Sequence, residues 1–257
     1  MRNKIKAFLK NIGLFDHIKI IKEKYFSDSR SKKLFNSMVN FYSYFINEGD
    51  ICFDIGANYG NRTEVLLTLG AKVIAIEPQP DVARFLKRKF GKRIIIEQIA
   101  IGRDCETKDM YISNAATISS LSSEWIEKIK QTRFQNHNWN KKIKVELKTL
   151  DYLIDKYGIP IFCKIDVEGF ELEVFKGLSQ PIKNLSYEFA FPEFTDKALE
   201  CIERLEEIGK FECNYSKDET MLLGLENWMD PDKFKQKIKN LLLEGVNWGD
   251  IYIRFKN

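Results

Sequence analysis

The stretch Asp50-Ile51-Cys52-Phe53-Asp54-Ile55-Gly56-Ala57-Asn58-Tyr59-Gly60 decides the fold. It reads as a short buried strand, Ile51 to Ile55, that meets an acid and runs into a glycine-rich turn. A helix-length gap follows, Arg62 to Leu69, closed by Gly70. A second apolar strand, Val73 to Ile76, then ends in another acid, Glu77. Open α/β sheets bind nucleotide-like ligands outside the carboxyl ends of their strands. A glycine turn after the first strand and an acid after the second are two halves of such a site.

Outward from this pair the alternation continues. Pro78-Gln79-Pro80 opens a helix with Val82, Phe85, Leu86 and Phe90 on one face, and Pro80 suits its first turn. A strand over Arg93–Ile99 completes a βαβαβ unit, the half that a parallel doubly wound sheet requires. Residues 103–148 break the pattern. Met110–Ile112 and Lys144–Lys148 read as short strands around a helix near Trp125–Phe134, an insertion near the mouth of the site. Strand Ile161–Ile165, helix Phe170–Lys176, strand Leu185–Ala190 and helix Asp196–Ile208 resume the alternation. Strands at Phe211–Tyr215 and Asp250–Phe255 close the chain and are expected to pair antiparallel at a sheet edge. An aromatic-rich helix over 34–46 precedes the first strand. The expected organisation is an N-terminal helical extension, 1–47, and a catalytic domain, 48–257.

Composition narrows the function classes. The 257 residues are 44% hydrophobic and 30% charged, enough for one large domain. With 41 basic against 37 acidic residues the net charge is +4, too even for a nucleic-acid-binding face. Five cysteines without a CxxC pair, and only His17 and His137, argue against zinc and for a reducing cytoplasm. No apolar run reaches the roughly 18 residues of a membrane span. Residues 1–26 carry seven basic residues and two acids. Ile5, Phe8, Leu9 and Ile12 share one helical face there. That basic amphipathic helix is expected either to pack on protein, a second copy included, or to lie peripherally on an anionic membrane.

The turn itself discriminates among ligands. A dinucleotide fingerprint needs G-x-G-x-x-G so that pyrophosphate lies against the backbone. Here Asn58 holds the second glycine position, and Gly60 arrives one residue early. Asp54, Glu77, Asp166 and Glu188 all fall at or near carboxyl ends of strands. Such a rim suits a cationic ligand without phosphate, S-adenosylmethionine (SAM), and disfavours NAD. An NAD-linked oxidoreductase and a non-catalytic scaffold of the same fold are the alternatives.

FDIGANYG at 53–60, IEPQP at 76–80, AIG at 100–102, SSL at 119–121, KTLD at 148–151 and KIDVEGFE at 164–171 resemble the FkbM-type methyltransferases. WGDIYI at 248–253 is similar to the family's last strand. The resemblance implies a class I Rossmann-like sheet of seven mostly parallel strands with helices on both faces. It implies SAM-dependent O-methylation, frequently of a saccharide or glycoconjugate hydroxyl. Under it Asp54, Gly56, Asn58 and Gly60 hold the methionine end of SAM, Glu77 the ribose, and Gln98 and Ala100 line the adenine. Asp166 is the first candidate for the base and His137 the second. Glu168, Ser120 and Glu188 are candidates for substrate contact. A divalent cation on Asp166, Glu168 and Glu188 is a less favoured alternative; the expectation is no metal.

Overall fold

A computed structural model describes residues 29–256. The basic amphipathic helix expected within 1–26 lies outside the described residues. The chain runs α1 (Ser29–Tyr42), β1 (Ile51–Ile55), α2 (Asn61–Thr68), β2 (Lys72–Ile76), α3 (Pro80–Phe90), β3 (Ile95–Glu97) and β4 (Ala100–Ile101). It continues through β5 (Thr107–Ile112), α4 (Ser123–Gln131), β6 (Lys141–Lys148), α5 (Leu150–Tyr157), β7 (Phe162–Ile165) and α6 (Glu171–Lys176). Last come β8 (Asn184–Ala190), α7 (Thr195–Glu206), β9 (Phe211–Lys217), α8 (Pro231–Leu243) and β10 (Trp248–Phe255).

Seven strands form one sheet in the order β3-β2-β1-β7-β8-β10-β9. Pairings from β3 through β8 are parallel. The closing strands pair antiparallel at the sheet edge as expected, with β10 lying between β8 and β9. Strand order reverses between β1 and β7, and the carboxyl ends there form the crevice of a doubly wound sheet.

Parallel strands buried on both faces read as near-continuous apolar runs, as Ile51–Ile55 and Phe162–Ile165 do apart from Asp54 and Lys164. Phe53, Ile55, Cys163, Ile165, Leu185 and Tyr187 face a core closed by α5, α6, α7 and α8. Cys52, Val73, Ala75, Phe162 and Tyr252 face the other core, where Met38, Tyr42, Phe45 and Ile46 pack. Helix α1 is thus a layer on the sheet. It ends four residues before the expected limit of 46.

Two expectations change. The single strand expected over Arg93–Ile99 is divided: Gly91–Arg93 form a 3-10 turn, and only Ile95–Glu97 stay in the main sheet. After Glu97 the chain departs, and Ala100–Ile101 pair with Leu147 and Lys148 in a second sheet, β4-β6-β5. Helix α5 was not anticipated after KTLD. Its signals are local: the Thr149 hydroxyl accepts the Tyr152 N–H at 3.0 Å, and Gly158 follows its last residue. The insertion packs a small core of Ile118, Trp125, Ile126, Ile129 and Trp139 against Phe194. Trp139 donates its indole N–H to the Ile118 carbonyl at 2.7 Å.

Candidate active site

Where β1, β2 and β7 end, the backbone is held tightly. Gly56 and Ala57 both donate to the Ile76 carbonyl at 3.0 Å, and Asp166 N–H donates to Ile55 at 3.0 Å. Gly56 has φ 82, and a Cβ there would lie 1.8 Å from the Asp166 carbonyl oxygen. Only glycine permits this approach.

A cleft enclosing about 490 Å³, counting space open to solvent, lies against these ends. Gly56, Asn58, Glu77, Ala100, Asp166 and Glu168 are among its walls, and Met110, Ser119 and Leu121 of the insertion cover it. Glu77 organises it from beneath. One carboxylate oxygen accepts the Asn58 N–H at 2.9 Å, the other the Gln79 N–H at 2.8 Å. Glu77 thereby fastens the β1 turn to the β2 turn. Burial pushes its pKa up to about 7, against the pull of those two N–H groups. Asn58 is left-handed at φ 48, and its Oδ1 is buried without a partner. An orphaned acceptor on the wall of a cleft that also presents a buried acid is compatible with the ammonium and hydroxyls of SAM.

Asp54 and Gly60 do not line the cleft. Asp54 is 2% exposed, and its Oδ2 accepts the Thr63 hydroxyl of α2 at 2.5 Å. Gly60 caps α2, and a Cβ there would strike the Phe90 ring at 2.4 Å. Both position the turn from behind. Thr63→Val should leave the cleft intact but lower stability by about 1–3 kcal/mol, because a buried carboxyl loses its donor. Urea unfolding followed by fluorescence reads that loss. Gln98 is exposed and outside the cleft, whereas Ala100 lines it.

Asp166, Glu168 and Glu188 do come together, with one carboxylate oxygen of each within 4.8 Å of the others. Glu168 is held at φ 55. Ser120, fully buried, donates its hydroxyl to the Glu168 carbonyl at 2.6 Å. Glu171 accepts the Val167 and Gly169 N–H groups at 3.1 and 3.3 Å. Ser120 therefore acts through the turn. Burial raises the Glu168 and Glu188 pKa values well above the usual range, and the surrounding carboxylates add to it. Burial likewise pushes Glu171 up to about 7. Crowded carboxyls relieve repulsion by holding protons. Turnover is accordingly expected to survive EDTA dialysis. Loss that magnesium restores would show that a cation provides the relief instead.

His137 is not brought to the cleft. Its Nδ1 lies 3.2 Å from Asn114 Oδ1, and its ring packs edge-on against Phe134. Sequence reasoning gave no functional weight to Glu171 or Asp250. The same holds for Lys164, quoted above only within KIDVEGFE. A charged residue inside the apolar run Phe162–Ile165 was the available signal.

A second cleft enclosing about 440 Å³, again counting space open to solvent, adjoins the turn, with Trp125, Gly169, Glu171, Tyr187, Glu188 and Phe194 among its walls. The carboxylate trio thus stands between two cavities.

This strand order with its reversed β10, together with a glycine turn after β1 and an acid after β2, defines a class I SAM-dependent methyltransferase. The Methyltransferase FkbM domain matches residues 54–217, and the chain belongs to that family. A search among curated proteins finds no match. Among solved structures the chain is similar to a TehB-like SAM-dependent methyltransferase from Corynebacterium glutamicum, at 10% identity and TM-score 0.43, covering 86% of this chain and 88% of that one. It is also similar to a precorrin-6y C5,15-methyltransferase from Geobacter metallireducens, at 11% identity and TM-score 0.41, covering 86% and 88%. An rRNA methylase from Streptococcus thermophilus matches at 12% identity and TM-score 0.41, covering 85% and 94%.

Proposed function

We propose that this methyltransferase is an O-methyltransferase acting on a hydroxyl of a saccharide or glycoconjugate. The observation that carries the reading is the carboxylate trio at the boundary between the cofactor cleft and the second cavity. SAM, when bound, supplies an electrophilic methyl group. The chain's own contribution is to hold an acceptor hydroxyl and take its proton. Asp166, partly exposed at the mouth, is the proposed base. Glu168 and Glu188, held in their protonated form, can both donate to and accept from neighbouring hydroxyls. Trp125 and Phe194 offer apolar ring faces on the far side, suited to the C–H face of a sugar.

A cytoplasmic location and the absence of a nucleic-acid partner belong to the same reading. Cys52, Cys163, Cys201 and Cys213 are buried and unpaired, and Cys105 is exposed and unpaired, which suits a reducing compartment. Among the described residues no helix is long and apolar enough to cross a membrane. Peripheral membrane contact or self-association through residues 1–26 remains part of the proposal.

The test is methyl transfer from methyl-labelled SAM to panels of oligosaccharides, glycolipids, RNA and protein. Label in a saccharide methyl ether supports the reading. Label only in nucleic acid or protein overturns the acceptor class. SAM binding without transfer to any panel favours a scaffold role.

A further inference from the structure

Ala116, Thr117 and Ser119 of the insertion line the cofactor cleft. The segment that carries them, Ala116 to Ser120, is held at both ends. Ser120 fixes one end to the turn after β7. Its hydroxyl donates to the Glu168 carbonyl at 2.6 Å and accepts the Ser122 N–H at 2.9 Å. Its backbone exchanges two more bonds with Tyr111 of β5, at 2.9 and 3.1 Å. The other end is held from the turn after β2. There Gln79 donates its side-chain amide to the Ala116 carbonyl at 3.1 Å. Gln79 is 7% exposed, and its own backbone is fixed. Its N–H donates to Glu77 at 2.8 Å, and its carbonyl accepts the Ala83 N–H at 2.9 Å. Strands β2 and β7 flank β1 in the sheet, so the segment is a strap across the cleft. One pin is made of backbone and buried-hydroxyl bonds. The other is a side-chain amide that a change of rotamer releases.

We propose that Gln79 is a positioning residue for SAM, latching the strap of residues 116–120 over the cofactor and slowing its release. The strap moves as one piece. Ala116 to Ile118 form a 3-10 turn, and the Ile118 and Ser119 N–H groups donate to Ala115 and Ala116 at 3.2 and 3.3 Å. Freeing Ala116 therefore frees the turn, while Ser120 keeps the far end in place. The start of α3 needs only the Gln79 backbone. The amide instead reaches the insertion, 37 positions along the chain, and a helix-starting role leaves that contact unexplained. The strap also runs into Ser122, which caps α4, and Trp125 of α4 walls the second cleft. One short segment thus borders both clefts, and Gln79 holds it from the cofactor side.

The experiment pairs two measurements on the full-length protein. One is the rate at which labelled S-adenosylhomocysteine (SAH) leaves. The other is hydrogen exchange of the cofactor-free chain, read over residues 113–121. Gln79→Met keeps the side-chain length and the backbone bonds and removes the amide. A net hydrogen bond shifts an equilibrium by about two- to tenfold. Exchange over 113–121 should quicken by about that factor, and SAH should leave faster by a similar one. Helix α3 and the strands of the main sheet should exchange as in the wild type. Gln79→Leu carries the same test if Gln79→Met does not fold. Faster SAH release with unchanged exchange would make Gln79 a direct cofactor contact and overturns the latch. A loosened strap from which SAH leaves at the wild-type rate overturns it too, as does no change in either measurement. Neither measurement uses an acceptor, so a wild type that methylates no saccharide overturns only the acceptor class.

Discussion

Asp166→Asn is expected to lower kcat about 100-fold and to leave SAH affinity within about twofold, the lower range of what a positioned base contributes. The substitution keeps shape and removes the charge. Lys164, whose Nζ lies 3.1 Å from Asp166 and 3.2 Å from Asp250, keeps the Asp250 contact, so the tie between β7 and β10 survives. Removing one negative charge also eases ionisation of Glu188, for which Asp166 is the leading charged neighbour. Glu188 then supplies a residual base, and this sets a floor under the loss. Steady-state methylation paired with calorimetry of SAH binding measures both parts. Turnover like that of the wild type would remove Asp166 from the chemistry. An equal loss of SAH affinity would make it a cofactor residue instead.

The second large effect is at Glu77. Glu77→Ala should weaken SAH binding by about 10–100-fold, since two loop N–H groups lose a charged acceptor together with any ribose hydroxyls it holds. The pH dependence has a definite sign. Burial raises the Glu77 pKa to about 7 in the free protein, and the ionised form is the better acceptor for ribose hydroxyls. SAH affinity should fall as pH drops below about 7, and binding near that pH should release protons to the buffer. Calorimetry in two buffers of different ionisation enthalpy counts those protons. Glu77→Gln should abolish their release. Folding stability runs the other way. A carboxyl whose folded pKa exceeds its unfolded one binds more protons when folded, so its contribution declines as pH rises from about 4.5 to about 7. Glu171, also raised to about 7, has the same sign. Stability that increases over this window would contradict both assignments.

These two residues also show how far the chain is legible before it is folded. Glu77 follows an apolar strand, and an acid there has one destination, the crevice. Asp166 ends the central run Phe162–Ile165 by the same logic. Gln98 follows only from the resemblance, and because the chain leaves the main sheet after Glu97 its side chain stays outside the cleft. His137 was singled out for its chemistry alone, and no local pattern says which way a loop of the insertion faces. Ser120 was placed in the site by its motif, yet it serves by holding the Glu168 carbonyl.

The sequence by itself determined the alternation of strands and helices, the glycine turn at Gly56 and the acids at the strand ends. Each is local: period, turn chemistry and burial are written within a few residues of where they act. Only the tertiary structure decided that β10 enters between β8 and β9, that Lys164 meets Asp250 across 86 positions of chain, and that Glu188 joins Asp166 and Glu168. Those contacts depend on strand order and register. Both arise when distant apolar faces are buried together, and no short stretch of sequence carries them.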